Sequence, residues 1–438
     1  MIRNYPDANI NNMLYEAMSK KDINILKDFI ESKRQKRYIS NKTSIKMNIF
    51  GFVNESKNTR IANIGNRTIR DLILLTGDID YIKQCENELD DWQLDLFDKE
   101  RIRQYTTPNQ IDLPKGMTYG IEIESEGENS INLGNWKKIF KKSWKDEFDA
   151  SLRDGLEIIS PKFESDENKQ NSKEIKSMCA IIEGFYQEIT KRCGGHIHIG
   201  ADYFDDVQDW KNLIEIYTNT ENILFTIANA SGETPRSGIE KYAPPITEKI
   251  NKIKDKLNQT KSIDEFINVI KNIQPKMTEL YHAREDGSFL LSDGTPIRNK
   301  SAAINFLNVG SKDKNTIEFR IPNGTINPNI WIDNINLFGG LMRVSKELTA
   351  IQKKEKSELT EEDENKLRNF NYLKEPLEEE LKINPLLNLC VGEKYKRRFL
   401  ERYVVNKKLR QMSEPSIKVS REMYERNVDF DFDFNDER

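Results

Sequence analysis

No stretch of about 18 consecutive apolar residues occurs in this chain, so no segment of it is expected to cross a membrane as a helix. The opening MIRNYPDANINN lacks the apolar run of a secretory signal. Cysteine is scarce. The four present, Cys85, Cys179, Cys193 and Cys390, make no CxxC pair and no disulfide framework, which fits a reducing compartment and makes the cytoplasm the expected location. Neither sign of charge dominates: 68 basic and 72 acidic residues leave a net charge of −4, too little to draw the whole molecule onto a nucleic-acid backbone. Stretches such as KSWK and EKYKRRF mix basic and aromatic residues, but such runs read as solvated helix faces, and nucleic acid is not an expected partner. Phosphate-binding signatures are missing as well. With no GxxxxGK[ST], no GxGxxG and no HRD or DFG set, a P-loop enzyme or an ordinary kinase is not expected.

Histidine is the scarcest of the reactive residues, three in 438, yet two of them stand one residue apart in CGGHIHIG, residues 193–200. The surrounding organisation is mixed. Residues 10–36 and 66–98 show helix-like apolar spacing, the latter with Ile69, Leu72, Ile73 and Leu74 after the candidate cap Asn66. From 117 the pattern turns to short alternating β runs separated by helical stretches near 172–191, 206–229, 246–271 and 329–350. The chain is therefore read as α+β, with a helical N-terminal region over 1–110, a central domain over 117–345, and a charged helical C-terminal region over 350–438 that ends in a tail expected to be mobile.

Four β segments share one grammar. In GIEIESEG, Ile121 and Ile123 alternate with Glu122, Glu124 and Glu126, so a strand there has one apolar and one acidic face, with successive carboxylates about 7 Å apart. HIHIG sets Ile197 and Ile199 against His196 and His198, behind Gly194 and Gly195, which permit a tight turn or a close approach. NTIEFRIPNGT alternates Ile317, Phe319 and Ile321 with Thr316, Glu318 and Arg320 and ends in the turn Pro322-Asn323-Gly324. FDASLRDGLEIISP brings Asp149 and Asp154 on a loop into a strand bearing Glu157, closed by Pro161.

Taken singly, each segment also fits an edge strand with its polar face in water, a pair of satisfied histidines, or a cross-strand ion pair. Together they predict one concave site of Glu, His and Arg. Clustered carboxylates repel one another unless a cation sits among them, and an excess of oxygen ligands points to Mg²⁺ or Mn²⁺. A zinc site built from Cys193, His196 and His198 is the rival, without an evident fourth ligand. Arg320 next to Glu318 adds a planar cation that suits phosphate or carboxylate oxygens.

The ordered set GxExE (Gly120, Glu122, Glu124), DxS with GxEIxS (Asp149, Ser151, Gly155, Glu157, Ile158, Ser160), CGGHxH (Cys193 to His198) and TIEFRxPNGT (Thr316 to Thr325) resembles the amidoligase family of the glutamine synthetase-like COOH–NH₂ ligases. The resemblance covers roughly 117–345. RSGIEKYAPPI, with Arg236 and Tyr242, is similar to a further loop of that family. It implies a curved, mainly antiparallel sheet flanked by helices, whose concave face takes ATP with Mg²⁺ or Mn²⁺. It further implies Glu122, Glu124, Glu157, His196 and Glu318 as metal ligands, His198 and Arg236 at the nucleotide, and Arg320 at the transferred phosphoryl group. The implied reaction joins a carboxylate to an amine, on a peptide, protein or cell-wall component, through an acyl phosphate. The attacking amine must also lose a proton, and Asp149 or Glu126 is the candidate acceptor. Two other function classes remain: a metal-dependent hydrolase using the same carboxylates on water, and a non-catalytic nucleotide- or metal-binding module. Dependence of turnover on ATP separates them.

Overall fold

The computed structural model of the protein describes residues 69–89, 96–127, 143–149, 155–185, 187–228, 243–274 and 300–408, with the short segments 45–48 and 63–67 and the positions 24, 27, 28, 30, 31, 94, 140, 152 and 239. Most of the expected helix over 10–36, the RSGIEKY loop with Arg236 and Tyr242, and the C-terminal tail lie outside the described residues.

Alternation of apolar and polar residues produces an open, antiparallel seven-stranded sheet. Its strands are β1 (Thr118–Glu126), β2 (Lys145–Phe148), β3 (Gly155–Ile159), β4 (Phe163–Glu164), β5 (Gly195–Gly200), β6 (Ile304–Asn305) and β7 (Thr316–Phe319). They are ordered β2-β3-β1-β5-β7-β6, with β4 pairing beside the start of β1. A separate two-stranded pair joins Ile45–Asn48 to Asn63–Arg67. Asn66 lies within the second of these strands, so the expected cap is not one, and the helix begins later, at Ile69.

One side of the large sheet is apolar. Ile121, Ile123, Ile158, Ile197, Ile199, Ile317 and Phe319 are all buried there. Two long helices cover it, α5 (Val207–Ile227) and α8 (Pro328–Gln352). The Phe319 ring stacks on Phe338 of α8 at 4.4 Å between centroids, and Tyr217 of α5 lies 6.4 Å from it. Both helices start on a side-chain cap: Asp206 accepts from the Gln208 N–H, and Asn327 accepts from the Asn329 N–H ahead of Pro328 in the first turn. Each buried Ile or Phe contributes about 1.5–3 kcal/mol. A one-residue register slip would place Glu122, Glu124, His196 and His198 in that core at several kcal/mol each, so the apolar face fixes which residues line the opposite one.

Around this centre the sequence places α1 (Ile69–Leu75), α2 (Ile79–Glu88), α3 (Leu96–Thr106) and α4 (Asn168–Gly184) before α5, then α6 (Thr247–Gln259) and α7 (Ile263–Ile270) between α5 and α8. After α8 come α9 (Glu361–Lys374), α10 (Glu379–Cys390) and a helix over 393–408. One hydrophobic cluster runs from Leu72 on α1 to Tyr403 in the last helix. Buried Asp333 of α8 holds Arg402 at 2.7 Å and Arg398 at 2.8 Å, which fastens that last helix to the back of the sheet layer. None of the helices among the described residues is long and apolar enough to cross a membrane.

The glycines of FGGLMR, on α8, are packing glycines. A Cβ at Gly340 would stand 1.8 Å from the Cys390 carbonyl oxygen at the end of α10. Backbone cannot yield as a side chain can, so Gly340→Ala is expected to push α10 off α8 and to destabilise the fold by about 3 kcal/mol, the upper part of the overpacking range. A denaturant melt measures it; an unchanged midpoint would mean that the two helices do not approach this closely.

Candidate metal and phosphate site

The polar face of the sheet is assembled by cross-strand register. Glu122 on β1 stands opposite His196 on β5, Glu124 opposite Glu157 on β3, and His198 opposite Glu318 on β7. Glu157 continues to Glu147 on β2, and Glu318 to Asn305 on β6. Directly opposed residues of an antiparallel pair share a face, so motifs far apart in sequence meet. They line a cavity of about 1180 Å³. That is at the large end for a small-molecule site and roomy enough for two ligands.

Local hydrogen bonds hold the ends of these strands. The N–H of Gly195 donates to the Pro322 carbonyl at 3.1 Å, and that of Gly324 to the Cys193 carbonyl at 3.1 Å, so the CGG and PNG turns brace each other. Gly194 donates its N–H to the carboxylate of Glu124. The second glycine makes room for protein, not for a ligand: a Cβ on Gly195 would stand 2.3 Å from the Trp331 ring of α8.

Glu122 is the hub. Its Oε2 lies 2.8 Å from His196 Nδ1, and its Oε1 lies 2.9 Å from His198 Nε2 and 2.8 Å from Lys314 Nζ. His198 directs Nε2 at the Glu122 carboxylate and has its Nδ1 3.2 Å from the Thr316 hydroxyl. His196 faces carboxylates on both nitrogens: Nε2 is 3.5 Å from Glu124, while Nδ1 is 3.6 Å from Glu157 and 3.7 Å from Glu318. Glu318 also accepts from Asn305 Nδ2 at 2.7 Å and is ion-paired with Arg320.

Electrostatics follow from this packing. Burial works to raise Glu122, but its hydrogen bonds with His196 and His198 prevail and hold it far below the usual carboxylate range. Glu318, raised by burial and lowered by His198, Arg320 and His196, settles at about 2. Burial carries Glu157 upward, helped by Glu122 and only partly opposed by His196. Burial and neighbouring Arg320 pull His196 down, yet Glu122 and Glu157 outweigh them and its pKa is raised.

Ligating atoms converge in three groups: Glu122 with Glu157 and His196; Glu122 with His198 and Glu318; Glu124 with Asp149 and Glu157. In each, one atom per residue lies within 4.8 Å of the others. Buried carboxylates in this number need cations, and oxygen-rich sets with a single imidazole suit Mg²⁺ or Mn²⁺. Cys193 belongs to none of these groups. Burial raises its thiol pKa, and its sulfur lies against Thr190 and the Glu188 carbonyl, so the zinc alternative has no thiolate ligand among the described residues.

Of the expected site residues within the described part, Glu122, Glu124, Glu157, His196, His198, Glu318, Arg320 and Asp149 line the cavity. Asp149, expected as a proton acceptor, sits in the third group beside two glutamates. Glu126, the other candidate base, is turned away: it pairs with Arg192 at 2.7 Å and does not line the cavity. Five lysines that sequence reasoning passed over, Lys145, Lys162, Lys300, Lys312 and Lys314, also line it. Lys314 was within reach of the pattern, because Lys314, Thr316, Glu318 and Arg320 follow one period-two series. A wall of lysines above an acidic floor, with the buried Arg320 Nε lacking a hydrogen-bond partner among the described residues, is a setting for phosphate oxygens bridged to metal.

Comparison with known proteins agrees with the motif order. Residues 106–342 match a family model described as a putative amidoligase enzyme, close to the span over which the motifs were recognised. Neither a curated protein nor a solved structure matches the chain.

Proposed function

Because the chain belongs to the amidoligase family over more than half of its length, we propose that it is an ATP- and Mg²⁺-dependent carboxylate-amine ligase acting through an acyl phosphate. The observation that carries this reading is the union of three carboxylate-imidazole groups with Arg320 and a lysine wall in one cavity. In this reading Glu122, Glu124, Glu157, His196 and Glu318 hold divalent ions, which supply charge neutralisation on the phosphoryl oxygens. A carboxylate oxygen of the substrate attacks the γ-phosphorus, the bond to the bridging oxygen breaks, and ADP leaves. The amine then attacks the acyl carbon, the amide C–N bond forms, and inorganic phosphate departs.

The chain's own residues do the positioning. Arg320, immediately after β7 and braced by Glu318, lines the cavity and would meet the equatorial oxygens of the phosphoryl group as they gain charge. His198, positioned by Thr316 at Nδ1 and facing Glu122 with Nε2, would donate from Nε2 toward phosphate once Glu122 is taken up by metal. Asp149, at the cavity edge near Glu124 and Glu157, takes the proton released by the amine. The amine is read as part of a peptide, protein or cell-wall component, as the resemblance to the family implies. Four free, buried cysteines support a reducing, cytoplasmic setting.

The test uses the full chain with Mg-ATP and a host lysate. ADP and phosphate are expected, released in step with new amide linkages detected by mass spectrometry. AMP and pyrophosphate as products would falsify the acyl-phosphate route, and turnover without ATP would favour a hydrolase.

A further inference from the structure

Lys314 lies on the connection between β6 and β7, and its Nζ stands 2.8 Å from Glu122 Oε1. That carboxylate belongs to two of the three ligating groups. A monovalent cation is thus held at the point where both groups meet. The backbone beneath it is pinned: the Asn315 carbonyl accepts from the Ala201 N–H at 3.0 Å, and the Asn315 side chain accepts from the Gly310 N–H at 2.7 Å and bonds Asp202. The Lys314 side chain is 46% exposed, so it can leave Glu122 without moving the strand.

Resting on the metal reading above, we propose that Lys314 is a tethered counter-ion that a divalent metal must displace from Glu122, and that the displaced ammonium joins the lysine wall that receives the anionic substrate. Three facts of charge and geometry support this. Glu122 is buried and has contacts with His196 and His198 as well, so it would be over-committed if Lys314 stayed while a +2 ion arrived. A lysine is a compact point charge on a flexible stem, suited to exchange, whereas Arg320 is fixed to Glu318 in the buried floor. Finally, Lys312, Lys300 and Asn308 line the same cavity as Lys314, giving the released ammonium an anion-binding surface to join. Lys314 would then keep the acidic floor neutralised before loading and couple metal entry to anion binding.

The probe is Mn²⁺ alone, titrated into the full-length protein and followed by electron paramagnetic resonance, with melting curves of the metal-free protein. Lys314→Met is expected to bind Mn²⁺ about 10-fold tighter, within the usual span of coupling between two sites, and to melt lower than wild type when metal-free. Lys314→Arg, which keeps a cation in reach, should stay near wild type in both. Unchanged or weaker Mn²⁺ affinity in a folded Lys314→Met protein overturns the exchange while leaving the ligase reading intact. Failure of the wild-type protein to bind Mn²⁺ at all overturns both.

Discussion

Glu122→Gln is expected to remove Mn²⁺ or Mg²⁺ binding at the cavity floor and to lower ADP release by at least about a thousandfold. The side chain touches His196, His198 and Lys314 and contributes to two of the three ligating groups, so one substitution weakens both. Losing even an outer partner of a metal ligand costs about 10- to 100-fold in affinity, and losing a shared ligand acts on two ions at once. Glutamine keeps the shape but not the charge. It also removes the strongest local support for a protonated His196, leaving Glu157 and Arg320 to compete over that ring. Folding should survive, because the apolar face that sets the register is untouched. Mn²⁺ titration and a coupled ADP assay read the two effects, and undiminished Mn²⁺ affinity would take Glu122 out of the metal site. Cys193→Ser serves as the contrast: with its sulfur against Thr190, outside every ligating group, it should leave Mn²⁺ binding unchanged.

What could be read from sequence was governed by local periodicity, and what escaped depends on pairing at long range. Alternation in GIEIES, HIHIG and TIEFR reveals which residues share a face of each strand, because side chains on a strand point to opposite faces in turn. It does not say which strand lies beside which. That Glu122 faces His196, and Glu124 faces Glu157, follows only from the order β3-β1-β5 and its register. Very short strands leave almost no periodic trace, and β6, with two residues, brings Asn305 to Glu318 unannounced. Lys145 falls in KSWK, which as text is a solvated charged face; the role of the lysines in lining a cavity comes from the sheet beneath them. Glu126 shows the converse. Its alternation puts it in line with Glu122 and Glu124, yet Arg192 and the bridge to Glu188 claim that end of β1. Asn66 was misread for a similar reason, since a good capping residue can also fall within a strand when a partner segment is present.

Arg320→Lys should lower turnover by about 10²–10³, the equivalent of about 3 to 4 kcal/mol, with a much smaller change in ATP affinity. Two interpretations of this arginine predict different outcomes. If it is only the partner of Glu318, lysine can replace it: the pair is buried, one positive charge remains, and the loss should appear in stability rather than rate. The geometry speaks for more than that. One guanidinium edge is spent on Glu318, whereas the buried Nε has no hydrogen-bond partner among the described residues and the side chain lines the cavity. A buried donor without a partner costs about 1–3 kcal/mol, which a structural ion pair has no reason to sustain and an anion-binding arginine recovers when oxygen arrives. Lysine has no second donor direction in a fixed plane, so it can keep Glu318 or reach the phosphoryl oxygens but cannot span both. The penalty therefore belongs to the step in which charge moves onto those oxygens, not to ground-state binding of the nucleotide. Rates of ADP release, ATP titrations and melting curves on the two proteins separate the cases. Near-normal turnover in a folded Arg320→Lys protein would return Arg320 to a structural role and leave phosphate to His198, the lysines and the metal ions.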